Sequence, residues 1–578
     1  MKKLLFLAVM CVFTVGVLYA GGQGAGEESA GITMNPPGTY PVVNEKVTID
    51  VIAYYSSTTS TGTPEDAKFT LWFEELTNVH INWVEMIESA SAGEKFNLIL
   101  ASGDLPDLLI PHGAITAQQV YQHGREGSFQ PLNDLIDKYA PDMKREFNTE
   151  EGKAFRSRLT MPDGNIYAFP DVEAGCFHCQ YSLKMWVYTP WVEKLGIDWP
   201  PKTTEDFYEM LKAFKAGDPN GNGEADEIPF LGATTSWRTD PIGFLMNSFI
   251  YTMMPHYANG YGAFLERNGN AARFVADTNE WREGLKYLNR LQVEGLLASE
   301  SFVWTRDESR SAVENPDKEL VGAFPSGWFG VMTFNGAGTG RFAGFHPIAP
   351  LTGPAGERQS GYFPPTMRYQ SQITKEADGI KPAVITQMLN WFFEDVFPNH
   401  MLAQNFNEEG TNWRYTTQEE LDAGYTSRDG KPSIMTPIER KVGAYERDLF
   451  DDGWPRTSPI RWTLRDFMAL PPTDAEDPSK QEWRLMVSTR DLMEPYKTTH
   501  YMPPDIVFPE EIEDEMTDLT NTIVMQTGLV LQRSTEFITG VRDINSDAEW
   551  DNYKKELKRA GVDRYVELWN EALAGVTF

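Results

Sequence analysis

The sequence predicts an α/β protein built on a parallel sheet and large enough for more than one lobe, and three observations predict it. VTIDVIAY places Val47, Ile49, Val51 and Ala53 on one face of a strand, and VHINW repeats the alternation with Val79, Ile81 and Trp83. Between them Phe69, Trp72, Phe73 and Leu76 keep the spacing of a helix with one buried stripe. Strand, helix, strand in that order implies a crossover and a parallel pair. The third observation is bulk: 578 residues, 41% apolar and 12% aromatic, can fill a large core and more than one lobe.

Further helices follow the same period. Leu132, Leu135, Ile136 and Tyr139 share a face, and Pro141 closes that helix. Thr203 and Asp206 make a capping-box pattern ahead of Phe207, Met210, Leu211 and Phe214, with Gly217 as the stop. Near the end Ser546 and Glu549 precede Trp550, Tyr553 and Leu557, and Gly561 stops the run. No internal repeat is present.

The N-terminus reads as an export signal over residues 1–20: Lys2 and Lys3, an uncharged apolar run from Leu4 to Ala20, then Gly21 and Gly22. That run sits at the lower edge of the roughly 17 to 25 residues that a membrane-spanning helix needs. Cys11, with Met10 before it and apolar residues continuing past it, reads as a small apolar member of the signal and not as a lipidated cysteine. Residues 21–46, rich in glycine, proline and small polar side chains, read as a flexible tether, with the folded body starting near Val47. The formal charge of -32 makes nucleic acid and anionic membrane surfaces poor partners. Cys176 and Cys179, in CFHC, can close a small disulfide in an oxidising compartment. A redox motif would need a strand running straight into a helix there, and zinc would need ligands beyond His178.

The strongest chemistry lies in DPNGNGEADEIP. Asp218, Asn220 and Asn222 put oxygen-bearing side chains at alternate positions, and Gly223 allows a sharp turn. The Glu224 carbonyl can then face the same point, and Asp226 and Glu227 add two carboxylates. A hard cation such as calcium takes six to eight oxygens at about 2.3 to 2.6 Å, which suits this set. Position twelve, where an EF-hand carries its bidentate glutamate, is Pro229, so the loop is not an EF-hand sensor. The competing reading is an Asx-turn loop without metal.

With that loop behind TTEDFYEMLKAFK, the chain resembles the family 1 extracellular solute-binding proteins of ABC transporters, in their alginate-oligosaccharide-binding and lipoprotein-like branch. LILASGDLPDLL, PLNDLIDKYAPDMK, DGNIYAFP, WVEKLGI and EFITG resemble that family's recurring segments in the same order. The resemblance implies a type II periplasmic-binding-protein fold, two α/β lobes with a hinged cleft between them. It divides the chain into an N-terminal lobe of 47–171 plus 350–430 and a C-terminal lobe of 172–349 plus 431–578. It further implies a structural calcium held by Asp218, Asn220, Asn222, Glu224, Asp226 and Glu227. The protein it describes is a monomer, periplasmic or at the cell surface, that delivers an oligosaccharide or related small solute to ABC permease subunits.

A sugar cleft needs aromatic faces for stacking and polar groups for hydroxyls. Tyr54 and Tyr55 end the first strand, and Trp237, Trp328, Trp413 and Trp454 lie in loops beside glycine, serine, threonine or charge. Tyr55 and these four tryptophans are the candidate ligand contacts, Trp328 and Trp454 first among them. Asp104 and Asp107 suit hydroxyls or a helix cap. Neutral or mixed oligosaccharides fit the acidic chain unless Arg238, Arg414 or Arg456 lines the cleft. A secreted carbohydrate-active enzyme would need paired carboxylates across a cleft, which 83 acidic residues leave uninformative. No GxSxG, HExxH or glycine-rich phosphate loop stands in a fitting context, so an enzyme is not expected. The residues suit equally a ligand-sensing binding protein not coupled to transport.

Overall fold

The computed structural model describes residues 32–55, 63–173, 177–181, 183–234, 238–254, 262–333, 340–365, 367–427, 431–438, 452–454, 457–464, 481–503, 506, 508, 510–525 and 527–574. In chain order the strands are β1 (Val47–Tyr55), β2 (Val79–Glu88), β3 (Leu108–Ile110), β4 (Phe169–Glu173), β5 (Met185–Tyr188), β6 (Leu265–Asn268), β7 (Ala271–Phe274), β8 (Ala323–Pro325), β9 (Phe345–Ile348), β10 (Met367–Ile373), β11 (Trp413–Tyr415), β12 (Met435–Pro437) and β13 (Arg461–Thr463). They form a six-stranded sheet in the order β13-β4-β10-β3-β1-β2, a three-stranded sheet in the order β8-β5-β9, and two hairpins. Each sheet has its own hydrophobic core, which makes two α/β lobes. Among the described residues no helix is long and apolar enough to cross a membrane.

In the first lobe β1 pairs in parallel with both β2 and β3, as the strand–helix–strand pattern requires. The helix between β1 and β2, Lys68–Thr77, buries Phe69 and Phe73 and stops at Asn78 in a left-handed conformation. Helix Lys381–Glu394 is buried from Ala383 to Phe393, enclosed by β1 and the helices Asn133–Tyr139 and Pro141–Phe147. Its Asn390 accepts the backbone N–H groups of Asp142 and Met143 at 2.9 and 3.1 Å, capping donors that the first turn of a helix leaves orphaned. Pro141 therefore does two things, ending one helix and opening the next.

Part of the stretch read as a tether is folded. Met34 bridges Val43, both Val42 and Val43 are fully buried, and Gln387 donates to the carbonyls of Asn35 and Pro36 at 3.1 and 3.0 Å. Proline and glycine here build a turn, with Gly38 at φ 77°, and the paired valines anchor it. Composition identified the turn formers but gave too little weight to two apolar residues.

In the second lobe helix Thr204–Ala216 carries the expected capping box, Thr203 accepting the N–H of Asp206 at 3.0 Å. Helix Asp547–Arg559 is capped by Ser546 as expected, and Gly561 then leads into one more helix, Val562–Leu573. The chain crosses between lobes after β4 and returns before β10. The later exchange differs from the expected boundary near residue 430. β12 pairs with β11, Trp454 and Trp462 join the first core, and β13 runs parallel to β4, so the first lobe keeps the chain through Thr463. Leu485 is then in the second core.

Candidate functional site

Strand directions locate the face between the lobes. β1, β2, β3, β4 and β13 all end, and the antiparallel β10 begins, at one edge of the first sheet, which is the edge where β4 leaves for the second lobe. β2 and β3 lie on opposite sides of β1, so a switch point opens at the carboxyl ends of β1 and β3, where open α/β sheets form ligand crevices. Tyr54 and Tyr55 end β1 there, and His112 follows β3 with its ring centroid 4.9 Å from that of Tyr54. Both tyrosines are half-buried.

Beside them Asp171 ties three strands together. Its carboxylate, only 1% exposed, accepts Arg461 Nε from β13 at 2.7 Å and Arg368 Nη1 from β10 at 2.7 Å. Burial pushes this carboxyl up, but the two guanidinium charges outweigh it and hold it well below the usual range. Gly113 permits the arrangement: a Cβ there would lie 2.9 Å from Arg368 Cδ. A small cavity next to the cluster is lined by His112, Asp171, Gln370, His400, Ser458 and Arg461. His400 is neutral, pushed down to about 4 by burial, and its Nε2 accepts the N–H of Trp462 at 2.8 Å. Arg368, 37% exposed, is the most exposed member of the cluster.

In the second sheet the ends of β8 and β9 and the start of β5 share one edge, the edge at which the crossing from β4 arrives. Trp328 follows β8, half-buried, its ring packed over Gly330, and Ser326 Oγ donates to its carbonyl at 2.6 Å. Arg238 lies 3.8 Å from the ring centroid of Phe363 in the returning segment. Tyr181, Tyr362 and Tyr501 form an aromatic group between crossing segments, with centroids 5.2 and 4.9 Å apart, and Lys497 Nζ sits 3.9 Å over Tyr362. These tyrosines are not among the loop aromatics that the sequence singles out. Their signal was proline two residues downstream of two of them, in YFP and YMP.

Lys184, fully buried at the first crossing, donates to the carbonyls of Tyr181 and His178 at 2.5 and 3.3 Å, at the end of the short helix Phe177–Gln180. Among the described residues no carboxylate pairs with it, and burial, then the Arg238 charge, push its amine down to about 7. Unfolded, the amine keeps its proton toward 10.5, so between those values the unfolded chain holds the extra proton. Stability is therefore expected to climb with pH above about 7, by up to ~1.4 kcal/mol per unit, and Lys184→Met to abolish that slope. Thermal unfolding of both proteins from pH 6.5 to 9 measures it. In the same helix Cys179 is disulfide-bonded, while Cys176 lies outside the described residues.

The structure thus brings Tyr55 and Trp328 to the edges joined by the crossing segments. Trp413 and Trp454 are elsewhere. Trp413, 2% exposed, packs with Phe397, Met401 and Met435, and its indole N–H goes to the Asn407 carbonyl. Trp454, 1% exposed, stands edge-on to Phe69 and donates to Thr70 Oγ1 at 2.8 Å in the first core. Trp237 and Arg456 lie outside the described residues. Asp104 and Asp107 precede β3, at the edge away from the cleft, and Asp107 is taken by Lys381 at 2.7 Å. Arg414 is paired with Glu420.

The 218–227 loop is drawn inward on Asp226. Asp218 accepts the N–H groups of Gly221 and Gly223, Asn222 accepts that of Glu224, and both Asn220 and Asn222 turn their amide Nδ2 to Asp226. Lys318 Nζ adds contacts to Asp226 Oδ2 at 2.6 Å and Glu224 Oε2 at 2.5 Å. Among the described residues no three His, Cys, Asp or Glu side chains converge on a point that could hold a metal. The donor set nevertheless fits a hard cation: Glu227 Oε1 is buried without a hydrogen-bond partner, and burial together with Asp218 and Asp226 raises its carboxyl.

Residues 55–297 match the sequence profile of a family described as bacterial extracellular solute-binding protein. The fructooligosaccharide ABC transporter substrate-binding protein FusA of Streptococcus pneumoniae serotype 4 is 28% identical over 542 residues, covering 92% of this chain and 90% of FusA. Solved structures of S. pneumoniae FusA, one with kestose and one of an EF-hand mutant with fructo-nystose, share the fold. Each has a TM-score of 0.68 at 23% identity over 91% of this chain and 99% of theirs. Alginate-binding protein AlgQ2 without calcium ion also shares it, with a TM-score of 0.57 at 21% identity over 92% of this chain and 98% of that one.

Proposed function

We propose that the two lobes of this chain, whose residues 55–297 match the bacterial extracellular solute-binding proteins, close on an oligosaccharide outside the cytoplasmic membrane and hand it, chemically unchanged, to the permease subunits of an ABC importer. One observation carries this reading. Aromatic faces and fixed polar groups stand at the sheet edges joined by the crossing segments, Tyr54, Tyr55, His112 and Arg368 in the first lobe and Trp328 in the second. Sugars present apolar CH patches and hydroxyls, and such pairs of groups serve both. Closure about the crossing segments would bring the edges together.

Small-angle scattering with and without kestose or nystose tests it, with compaction and no hydrolysis products as the expected result; no change with any saccharide offered would overturn it. Trp328→Ala is expected to weaken binding about threefold to tenfold in calorimetry, the scale of one aromatic contact.

The 218–227 loop is read as a structural clip for calcium. Asp218, Asn220, Asn222, the Glu224 carbonyl, Asp226 and Glu227 would hold it, and the ion would fix the loop behind helix Thr204–Ala216 without taking part in chemistry. The protein would act as a monomer, in the periplasm or at the cell surface.

A further inference from the structure

We propose that Lys318 is a built-in counter-cation of the 218–227 loop, a side chain that closes the acidic loop when no metal is bound and that a divalent cation must dislodge. The proposal rests on the calcium reading above.

Asp226 is the hub. Its carboxylate collects Asn220 Nδ2 at 2.9 Å, Asn222 Nδ2 at 3.1 and 3.0 Å, and Lys318 Nζ at 2.6 Å. Lys318 brings a full positive charge, and the two neutral amides bring the positive ends of their N–H dipoles, where an ion would bring its charge. An amide facing a metal must offer its oxygen, so both asparagines are turned the opposite way, toward a carboxylate already neutralised by an ammonium.

Lys318 is held in place from its own side. It comes from a separate segment, 92 residues from Asp226, where Asn315 Oδ1 accepts the backbone N–H groups of Asp317 and Lys318 at 3.0 Å each. The bridge between Ile228 and Val321 and the hydrogen bond from Ile228 N–H to the Leu320 carbonyl at 2.7 Å fix the loop's exit against that segment. The ammonium thus reaches Asp226 across a braced gap.

Glu224 completes the device. The calcium reading uses only its backbone carbonyl, which leaves its side chain free, and Glu224 Oε2 already holds Lys318 at 2.5 Å. When an ion takes Asp226, the ammonium keeps one carboxylate partner at the loop's rim and need not leave altogether. The ammonium and the ion then compete directly for Asp226, and the charge-assisted contact that is lost sets the handicap on metal binding.

The test uses the full mature protein and calcium alone. Calcium affinity of wild type, Lys318→Met and Lys318→Gln is measured against a chromophoric chelator, and melting temperatures are recorded in EDTA. Both variants are expected to bind calcium about tenfold more tightly than wild type and to melt lower in EDTA. Affinities within twofold of wild type, or unchanged melting in EDTA, would overturn the proposal while leaving the calcium clip standing. If wild type and variants alike bind no calcium, clip and counter-cation fall together.

Discussion

Asp171→Asn is expected to lower unfolding stability by ~3 kcal/mol or more, measured as a drop in urea midpoint at constant slope. The carboxylate is buried and holds guanidiniums from β10 and β13, so a neutral amide removes the anionic charge that both cations share at the crossing. Removing one member of a buried charged network typically costs about 3 to 5 kcal/mol. Arg368, partly open to solvent, places the expectation at the lower end. Acid gives an independent check. The Asp171 carboxyl is depressed below its ordinary 3.8, so its contribution is complete above that pH and is lost as pH falls toward the folded value. The asparagine variant should lack this component of acid unfolding.

Trp454→Ala is expected to cost ~3 to 5 kcal/mol, the range for emptying a buried tryptophan site. The cavity would open among Phe69, Phe73 and Trp83, whose rings stand edge-on to Trp454 at 4.7, 5.6 and 5.5 Å. Trp454→Phe should recover part of the loss. Where the alanine variant still folds, its oligosaccharide affinity should match wild type, in contrast to Trp328→Ala. A matching loss of affinity at Trp454 would place that residue at the ligand and contradict its burial.

The contrast shows what was legible in the sequence. Local order was: β1, the helix Lys68–Thr77 and β2 follow from alternation and helical spacing, and the capped helix Thr204–Ala216 from Thr203 and Asp206. Side-chain direction in loops was not. Trp328 and Trp454 both sit beside glycine, which marks a turn and says nothing about which way an indole points. What draws Trp454 inward is a contact across the chain, the Phe69 N–H donating to the Asp452 carbonyl and the indole reaching Thr70, 384 residues earlier. Asp171 was legible as the neighbourhood of a crossing, but its partners lie 197 and 290 residues away, beyond any local pattern. The part of the tether from residue 32 onward is folded for the converse reason: two buried valines and hydrogen bonds from Gln387 outweigh a turn-rich composition.

The turn at residues 33–45 has a mechanical consequence. Thr33 and Asn44 are joined by hydrogen bonds in both directions, and the Val42 N–H donates to the carbonyl of Thr77. A pull on the polypeptide from its N-terminal side therefore loads this small fold, and the helices it grips, before any tension reaches β1. It would yield by unzipping one hydrogen bond at a time, letting out slack while the sheet beneath stays whole.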